Sequence, residues 1–405
     1  MSQPTNLPTI HLLPGKEKPV RQRHPWIFSG AIERTRGEIA PGGLVDVLDA
    51  RGDWLARGYA NPRSQIVVRI LTWDRDEALG PDFWRGRLAS AAAARADLAA
   101  DPSTDAYRLV YAESDGLPGL IVDRYGDWLA VQFLTAGVEA QRELLIPLLA
   151  DLFGPAGIVD RSDVAVRRQE GLPLRSGLAW GQPPPAALEI VENGHRFQTD
   201  LLGGQKTGFY LDQRENRRIV ASHARGRRVL NAFSFTGAFG IYALAAGAAH
   251  VTNLDSSHEA LVGAEAALRM NGFDPDAQAE AIAGDVFQVL RAFRDEGRQF
   301  DLIILDPPKF ARNKAELDGA TRGYKDINLL GLKLLTPGGL LATFSCSGLV
   351  TPDLFQKIVF GASVDAGREA QIIAKLGQGA DHPIRLSFPE GEYLKGLLCR
   401  AVDDR

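Results

Sequence analysis

Residues 228–255 read RVLNAFSFTGAFGIYALAAGAAHVTNLD. Arg228–Ala232 is a short apolar run of strand character. A loop holding Gly237 follows, then a helix of small residues to Ala246, then a second apolar run, His250–Leu254, closed by Asp255. Parallel strands cannot be joined by a tight turn, so strand, helix and strand at this spacing predict a parallel pair with the helix crossing one face. The series continues downstream with a helix at Ser257–Asn271, a strand at Ala279–Ala283, a helix at Val286–Arg294, and strands at Leu302–Leu305 and Gly339–Phe344. From about residue 187 onward the chain therefore reads as α/β, with a mostly parallel sheet covered by helices on both faces.

The upstream sequence has a different texture. Leu44–Asp49, Trp54–Tyr59 and Ile66–Thr72, separated by Ala50-Arg51-Gly52-Asp53 and Asn61-Pro62, predict a small β-rich module over residues 1–72. An alanine-rich helix is predicted over 81–100. Strands at Tyr107–Tyr111, Gly119–Asp123 and Trp128–Leu134, a helix at Glu139–Phe153 and a strand at Gly157–Arg161 then make a central α+β block over 73–186. Gly181-Gln182-Pro183-Pro184-Pro185 marks the boundary before the third segment, 187–405.

Composition narrows the classes. Of 405 residues, 45% are hydrophobic and 24% charged, which excludes disorder as the main state. No run is apolar for long enough to span a membrane, and MSQPTNLPTIHLLPGKEKP lacks the order of a secretory signal. Cys346 and Cys399 are the only cysteines, so neither a disulfide framework nor a cysteine-rich zinc site is expected, no metal is assigned, and a reducing cytoplasm is the expected compartment. Net charge is −4, yet residues 1–70 carry ten Lys or Arg against six acids, leaving −8 on the rest. A basic N-terminal block on an acidic body fits a module that meets phosphates, with Arg21 and Arg23 as candidate contacts.

In a sheet of this kind ligands bind beyond the carboxyl ends of the strands. The first loop, Asn231 to Gly240, lacks the G-x-G-x-x-G spacing of dinucleotide enzymes. The second strand ends at Asp255, suited to a ribose diol. The third leads to Gly284-Asp285-Val286-Phe287, suited to an adenine edge with an apolar wall, and the fourth gives Asp306-Pro307-Pro308-Lys309-Phe310. One acid at a strand end is usually a helix cap. Three in succession, the last of them opening Asp-Pro-Pro after the fourth strand, resemble the S-adenosylmethionine pocket of class I methyltransferases.

The fifth strand ends Ser345-Cys346-Ser347. Carbon 5 of a pyrimidine is a poor nucleophile until a thiolate adds at carbon 6, so a cysteine at this place has a specific chemical use. Cys399, within Leu397-Leu398-Cys399, reads as a small buried hydrophobe.

Asn-Ala-Phe-Ser-Phe-Thr-Gly (231–237), Leu-Asp-Pro-Pro-Lys-Phe (305–310), Arg-Gly-Tyr-Lys-Asp-Ile-Asn (322–328), Ser-Cys-Ser (345–347) and Glu-Gly-Glu-Tyr-Leu-Lys (390–395) resemble the RlmI family. Its members are methyltransferases that form 5-methylcytosine in large-subunit ribosomal RNA. The resemblance extends upstream to residues 113–127 and 205–214 and so covers nearly the whole chain. It implies a PUA-type β-barrel that binds RNA, a central α+β domain and a Rossmann-like class I methyltransferase domain. It also implies roles. Cys346 would be the nucleophile and Asp306 would hold the cytosine edge. Asp255 would bind the ribose of the cofactor and Asp285 its adenine, with Asn231, Phe233 and Gly237 lining the same pocket. Tyr210 and Gln213, with Arg214 beside them, would close over it, and Lys309 and Phe310 would meet the substrate. Many RNA cytosine-5 methyltransferases carry a second cysteine directly after the prolines. Lys309 stands there in this sequence, to take the carbon-5 proton or to contact phosphate. The resemblance admits a homodimer, although no stretch of sequence marks an interface. Two alternatives stay open: methylation of guanine at nitrogen 7, for which Cys346 would be dispensable, and a non-catalytic RNA-binding assembly factor. Removing residues 1–72 is expected to weaken RNA binding and leave cofactor affinity intact.

Overall fold

The computed structural model describes residues 7–204, 207–311 and 313–402. Two compact units emerge. The first comprises residues 1–191 with 199–211 and 381–391, and the second 192–198, 212–380 and 392–405.

The first unit holds two sheets. A six-stranded sheet has the spatial order Trp26–Phe28, Ile66–Thr72, Trp54–Ala60, Gly43–Leu48, Thr9–Leu12, Ile32–Arg36. Alternation along these strands turns Ile10, Leu12, Val45, Val47, Val68 and Ile70 into one buried cluster. Three of the six strands were not predicted from sequence. Two of them span only three and four residues, and the third, Ile-Glu-Arg-Thr-Arg, is an exposed charged edge. The second sheet orders Gly177–Gly181, Gly157–Asp160, Trp128–Phe133, Leu120–Tyr125 and Ala106–Tyr111, with helices Pro81–Ala93 and Arg142–Phe153 packed on it.

The single helix expected over 81–100 is corrected by the structure. It stops at Ala93 and resumes for one turn at Ala96–Ala99. Between them Arg95 is pulled inward. Its guanidinium donates to both carboxylate oxygens of Asp115 (2.8 and 2.9 Å) and to the carbonyls of Ala91 and Asp381.

The two sheets of this unit are joined by buried polar groups. Arg69 donates to Glu170 at 3.0 Å and lies 3.5 Å from Glu113. Asn61 donates to the second oxygen of Glu170 (2.9 Å), and the indole N–H of Trp26 donates to Glu113 (2.7 Å). Tyr59 hydrogen-bonds Thr135 (2.8 Å), and its ring lies where a side chain on Gly137 would have to go, 2.1 Å from an ideal Cβ. Deleting residues 1–72 would strip Arg69 from two buried carboxylates, so surface substitution is the cleaner way to probe the module.

The second unit is built on a seven-stranded sheet: β1 (Arg228–Ala232), β2 (His250–Asp255), β3 (Ala279–Ala283), β4 (Phe300–Leu305), β5 (Leu335–Ser345), β6 (Glu369–Gly377) and β7 (Lys395–Val402). Their spatial order is β3-β2-β1-β4-β5-β7-β6. β1 to β5 run parallel, and β7 is antiparallel to both its neighbours. Apolar runs buried on both faces account for β1, β4 and β5. Neither β6 nor β7 was predicted. β6 is a largely exposed edge strand, and β7 begins with a lysine. The chain reverses its order between β1 and β4, which opens a crevice at the carboxyl ends of those strands.

Candidate active site

The loop after β1 is held in an unusual backbone conformation. Phe233 and Phe235 take φ of +59° and +48°, values a bulky residue adopts only where surrounding structure enforces them. Gly237, at φ +74°, precedes the helix Ala238–Ala245. A methyl group there would come within 2.9 Å of the Cβ of Ala264, so close packing as well as the dihedral requires glycine. The Phe235 N–H donates to one oxygen of Asp255 (2.8 Å) and the Ser257 N–H to the other (2.9 Å). This half-exposed carboxylate at the end of β2 is thus oriented by two backbone donors, and each oxygen keeps a lone pair for a further donor. Ser234, in the same loop, has a buried hydroxyl with no partner among the described residues.

Asn231 is buried on β1, and its amide donates to Asn253 on β2 (2.9 Å). It ties the two strands together beneath the loop. Asp285 is exposed and caps the helix Val286–Asp295, accepting from the Gln288 N–H at 3.0 Å. Gln213 is buried and accepts from Asn216. The neighbouring Asp212 accepts from the Tyr393 hydroxyl at 2.5 Å, which joins the segment before Arg214 to the Glu-Tyr-Leu-Lys segment. Tyr210 is half-buried and belongs to the first unit. Gln205 and Lys206 of the same motif lie outside the described residues.

Asp306 follows β4 directly, half-exposed, with its N–H facing the Ala232 carbonyl across the crevice (3.4 Å). Lys309 is exposed. Phe310 packs against Tyr324 (ring centroids 4.6 Å apart) and Phe287 (6.0 Å), with Phe233 edge-on at 6.5 Å. Strand alternation at the end of β5 buries Ser345 and Ser347 completely and leaves Cys346 between them half-exposed. The Ser347 hydroxyl meets the Tyr324 hydroxyl at 3.1 Å and accepts from the Ala311 N–H at 3.3 Å. The loop bearing Asp306 and the loop bearing Cys346 are therefore clamped through one serine.

Two residues here escaped the sequence reading. Tyr324 is fully buried, and Lys395 at the start of β7 is almost so. Both stood inside quoted motifs without a role. The signal for Lys395 was available: an antiparallel last strand brings its first residue against the last residue of β5.

Of the N-terminal candidates, Arg21 donates to Asp49 (2.8 Å) and the Arg23 guanidinium lies 5.3 Å from the centre of the Trp73 ring. Both are exposed and both have an intramolecular partner.

Comparison with known proteins agrees with this geometry. The profile of an S-adenosylmethionine-dependent methyltransferase family matches residues 167–368, and that of a PUA-like domain matches residues 10–73. The ribosomal RNA large subunit methyltransferase I of Tolumonas auensis is 52% identical over 395 residues, covering 97% of this chain and 99% of its own. That of Klebsiella pneumoniae strain 342 is 50% identical over 395 residues, covering 98% of each. The chain belongs to the large-subunit ribosomal RNA methyltransferase I family. Among solved structures, a putative S-adenosylmethionine-dependent methyltransferase from Streptococcus mutans shares the fold at a TM-score of 0.84 and 21% identity, over 97% of this chain and 99% of that one. A putative methyltransferase complexed with SAH superposes equally well at 22% identity. The protein is thus an S-adenosylmethionine-dependent rRNA methyltransferase of the methyltransferase I family. The residues fit that cofactor: the Asp255 carboxylate is pre-oriented for hydroxyl donors, and the Ser234 hydroxyl is buried with no partner among the described residues. Among the described residues no helix is long and apolar enough to cross a membrane, and no cluster could hold a metal ion.

Proposed function

We propose that the enzyme forms 5-methylcytosine in large-subunit ribosomal RNA through a covalent adduct between Cys346 and carbon 6 of the base. The observation that carries this reading is the setting of Cys346, the half-exposed residue between two fully buried serines, directly after the strand adjoining the one that delivers Asp306. The Cys346 thiolate adds to carbon 6, forming a sulfur–carbon bond and shifting an electron pair of the 5,6 double bond toward carbon 5. When bound, S-adenosylmethionine would supply an electrophilic methyl carbon to carbon 5, the methyl–sulfur bond breaking with its electron pair retained on sulfur and S-adenosylhomocysteine as the leaving group. Loss of the carbon-5 proton to a base returns an electron pair to the ring, re-forms the double bond and expels the thiolate. Asp306 holds the edge of the base that carries the ring nitrogen and the amine, favouring addition. Asp255, Asp285 and the loop carrying Asn231, Phe233 and Gly237 hold the cofactor, with Gln213 of the same unit beside it, while Lys309 and Phe310 meet the substrate.

A paired cytosine cannot present carbon 6, so the target is unstacked or single-stranded. In this reading residues 1–72 anchor flanking RNA, 73–186 join that module to the catalytic domain 187–405, and the protein works in a reducing cytoplasm that keeps both cysteines as thiols.

The test is transfer of a labelled methyl group to ribosomal RNA followed by nucleoside mass spectrometry. Label in 5-methylcytidine supports the proposal, and label in 7-methylguanosine overturns it. Two further outcomes follow. Asp255→Asn should weaken S-adenosylmethionine binding about 10- to 100-fold by calorimetry, the value of a charge-assisted hydrogen bond. Arg21→Ser with Arg23→Ser should lower the slope of log affinity for RNA against log salt by about two, one for each phosphate that is no longer neutralised. An unchanged slope would remove those arginines from the interface.

A further inference from the structure

Lys395 opens β7 directly opposite Ser345, the residue before Cys346. It is 5% exposed, and its Nζ donates to the carbonyls of Ser347 (2.8 Å) and Val350 (2.7 Å), both in the turn that leaves Cys346. Burying an ammonium is costly unless acceptors and an anion stand close. The two carbonyls supply the acceptors. Among the described residues no carboxylate lies within ion-pair distance of this nitrogen. The charged and titratable groups that face it are Cys346 at the end of β5, Glu392 on its own segment and Lys309 from the loop after β4.

We propose that Lys395 is a positioning residue for Cys346: through two carbonyls it fixes the turn that follows the thiol, and its ammonium favours the sulfur as a thiolate ready to add to the pyrimidine. The proposal rests on the reading of Cys346 as the nucleophile and adds to it a group that favours the ionised thiol. Burial brings the ammonium of Lys395 down to about 8, against the raising pull of the Cys346 thiolate and Glu392 and together with the lowering push of Lys309. The sign of the coupling is fixed. A protonated Lys395 lowers the energy of the thiolate, so its support is present below about pH 8 and fades as pH rises through that value.

A lysine that only tied the turn would leave the titration of the thiol unmoved by loss of charge. The experiment is therefore the pH profile of Cys346 alkylation by iodoacetamide in the full chain, read by peptide mass spectrometry, for wild type, Lys395→Gln and Lys395→Arg. Glutamine retains a donor for the carbonyls and removes the charge. Its midpoint should rise by about one pH unit, with alkylation at neutral pH about tenfold slower and S-adenosylmethionine affinity unchanged, while arginine, charged throughout, should restore wild-type reactivity below about pH 8. An unchanged midpoint in a glutamine variant that still binds cofactor overturns the proposal. A second measurement needs no variant. NMR titration of the Lys395 side chain should move to lower pH once Cys346 is carbamidomethylated, because the anion that raises it is gone, and an unmoved titration overturns the coupling. Both readouts are independent of methyl transfer, so persistence of 5-methylcytosine in a Cys346→Ala enzyme would bring down the functional reading separately.

Discussion

Cys346→Ala is expected to abolish 5-methylcytosine formation, with a loss of about 10⁴-fold or more, while leaving cofactor binding and the fold in place. The size follows from covalent catalysis: without sulfur addition carbon 5 has no means of taking the methyl group, so the nucleophile acts with the rest of the site as a unit. Retention of cofactor binding is expected because the loops proposed to hold the cofactor leave β1 and β2, whereas Cys346 follows β5. Cys399→Ala is the matched control. That thiol is buried, and desolvation pushes its pKa up to about 12, so it is inert at neutral pH. Its removal should cost about 1 kcal/mol of packing and no activity. Radiolabel incorporation into ribosomal RNA for the two variants checks both outcomes, and methylation of guanine that survived Cys346→Ala would select the nitrogen-7 alternative.

Glu170→Ala is expected to have the largest effect on stability, about 3–5 kcal/mol. The carboxylate is 3% exposed and accepts from Arg69, from Asn61 and from the Ala136 N–H. Truncation leaves the buried Arg69 guanidinium without its shorter ion pair, with Glu113 at 3.5 Å as its remaining carboxylate, and removing one partner from such a buried network costs far more than the pair contributed. At about 2–4 °C per kcal/mol, thermal unfolding of this unit should begin on the order of 10 °C lower. The effect of pH has a definite sign. Burial works to raise the Glu170 carboxyl, but the Asn61 hydrogen bond and the Arg69 charge outweigh it and hold the pKa below its ordinary value. The stability it contributes is complete above the ordinary glutamate range and is lost as pH falls through the lowered value. A scan showing wild type and Glu170→Ala converging in acid would confirm the assignment, and parallel curves would refute it.

Much of the catalytic sheet was legible because parallel strands buried on both faces leave continuous apolar runs, and the chain marks their ends with glycine or an acid. Asp255, Asp285, Asp306 and Cys346 all fell at such ends and were found by position. What the side chains do there was less legible. Asn231 sits where a ligand contact was expected, yet its amide is engaged by Asn253, 22 residues away on the adjoining strand. Asp285 caps its own helix, as isolated acids at strand ends commonly do. Arg69, Glu113 and Glu170 meet across 44 and 101 residues, and Lys395 meets the turn after Cys346 across 45 to 48. No local pattern announces such pairs, because nothing in helix or strand periodicity depends on a partner so distant. The three short strands before residue 40 failed for another reason: they are too brief or too charged to show alternation.

The placement of β7 between β5 and β6 has a consequence for the order of assembly. β6 hydrogen-bonds to β7 alone, so residues 369–377 have no sheet to join until 395–402 have inserted. The same insertion brings Lys395 against the turn after Cys346. A folding chain can thus complete its parallel five strands, and with them the loops around Asp255, before Lys395 is buried beside the turn that follows Cys346. Pairings of such long sequence separation form late. On the proposed reading of Asp255, Cys346 and Lys395, competence to hold the methyl donor would then precede competence to use it, and half-folded molecules would carry an unreactive thiol.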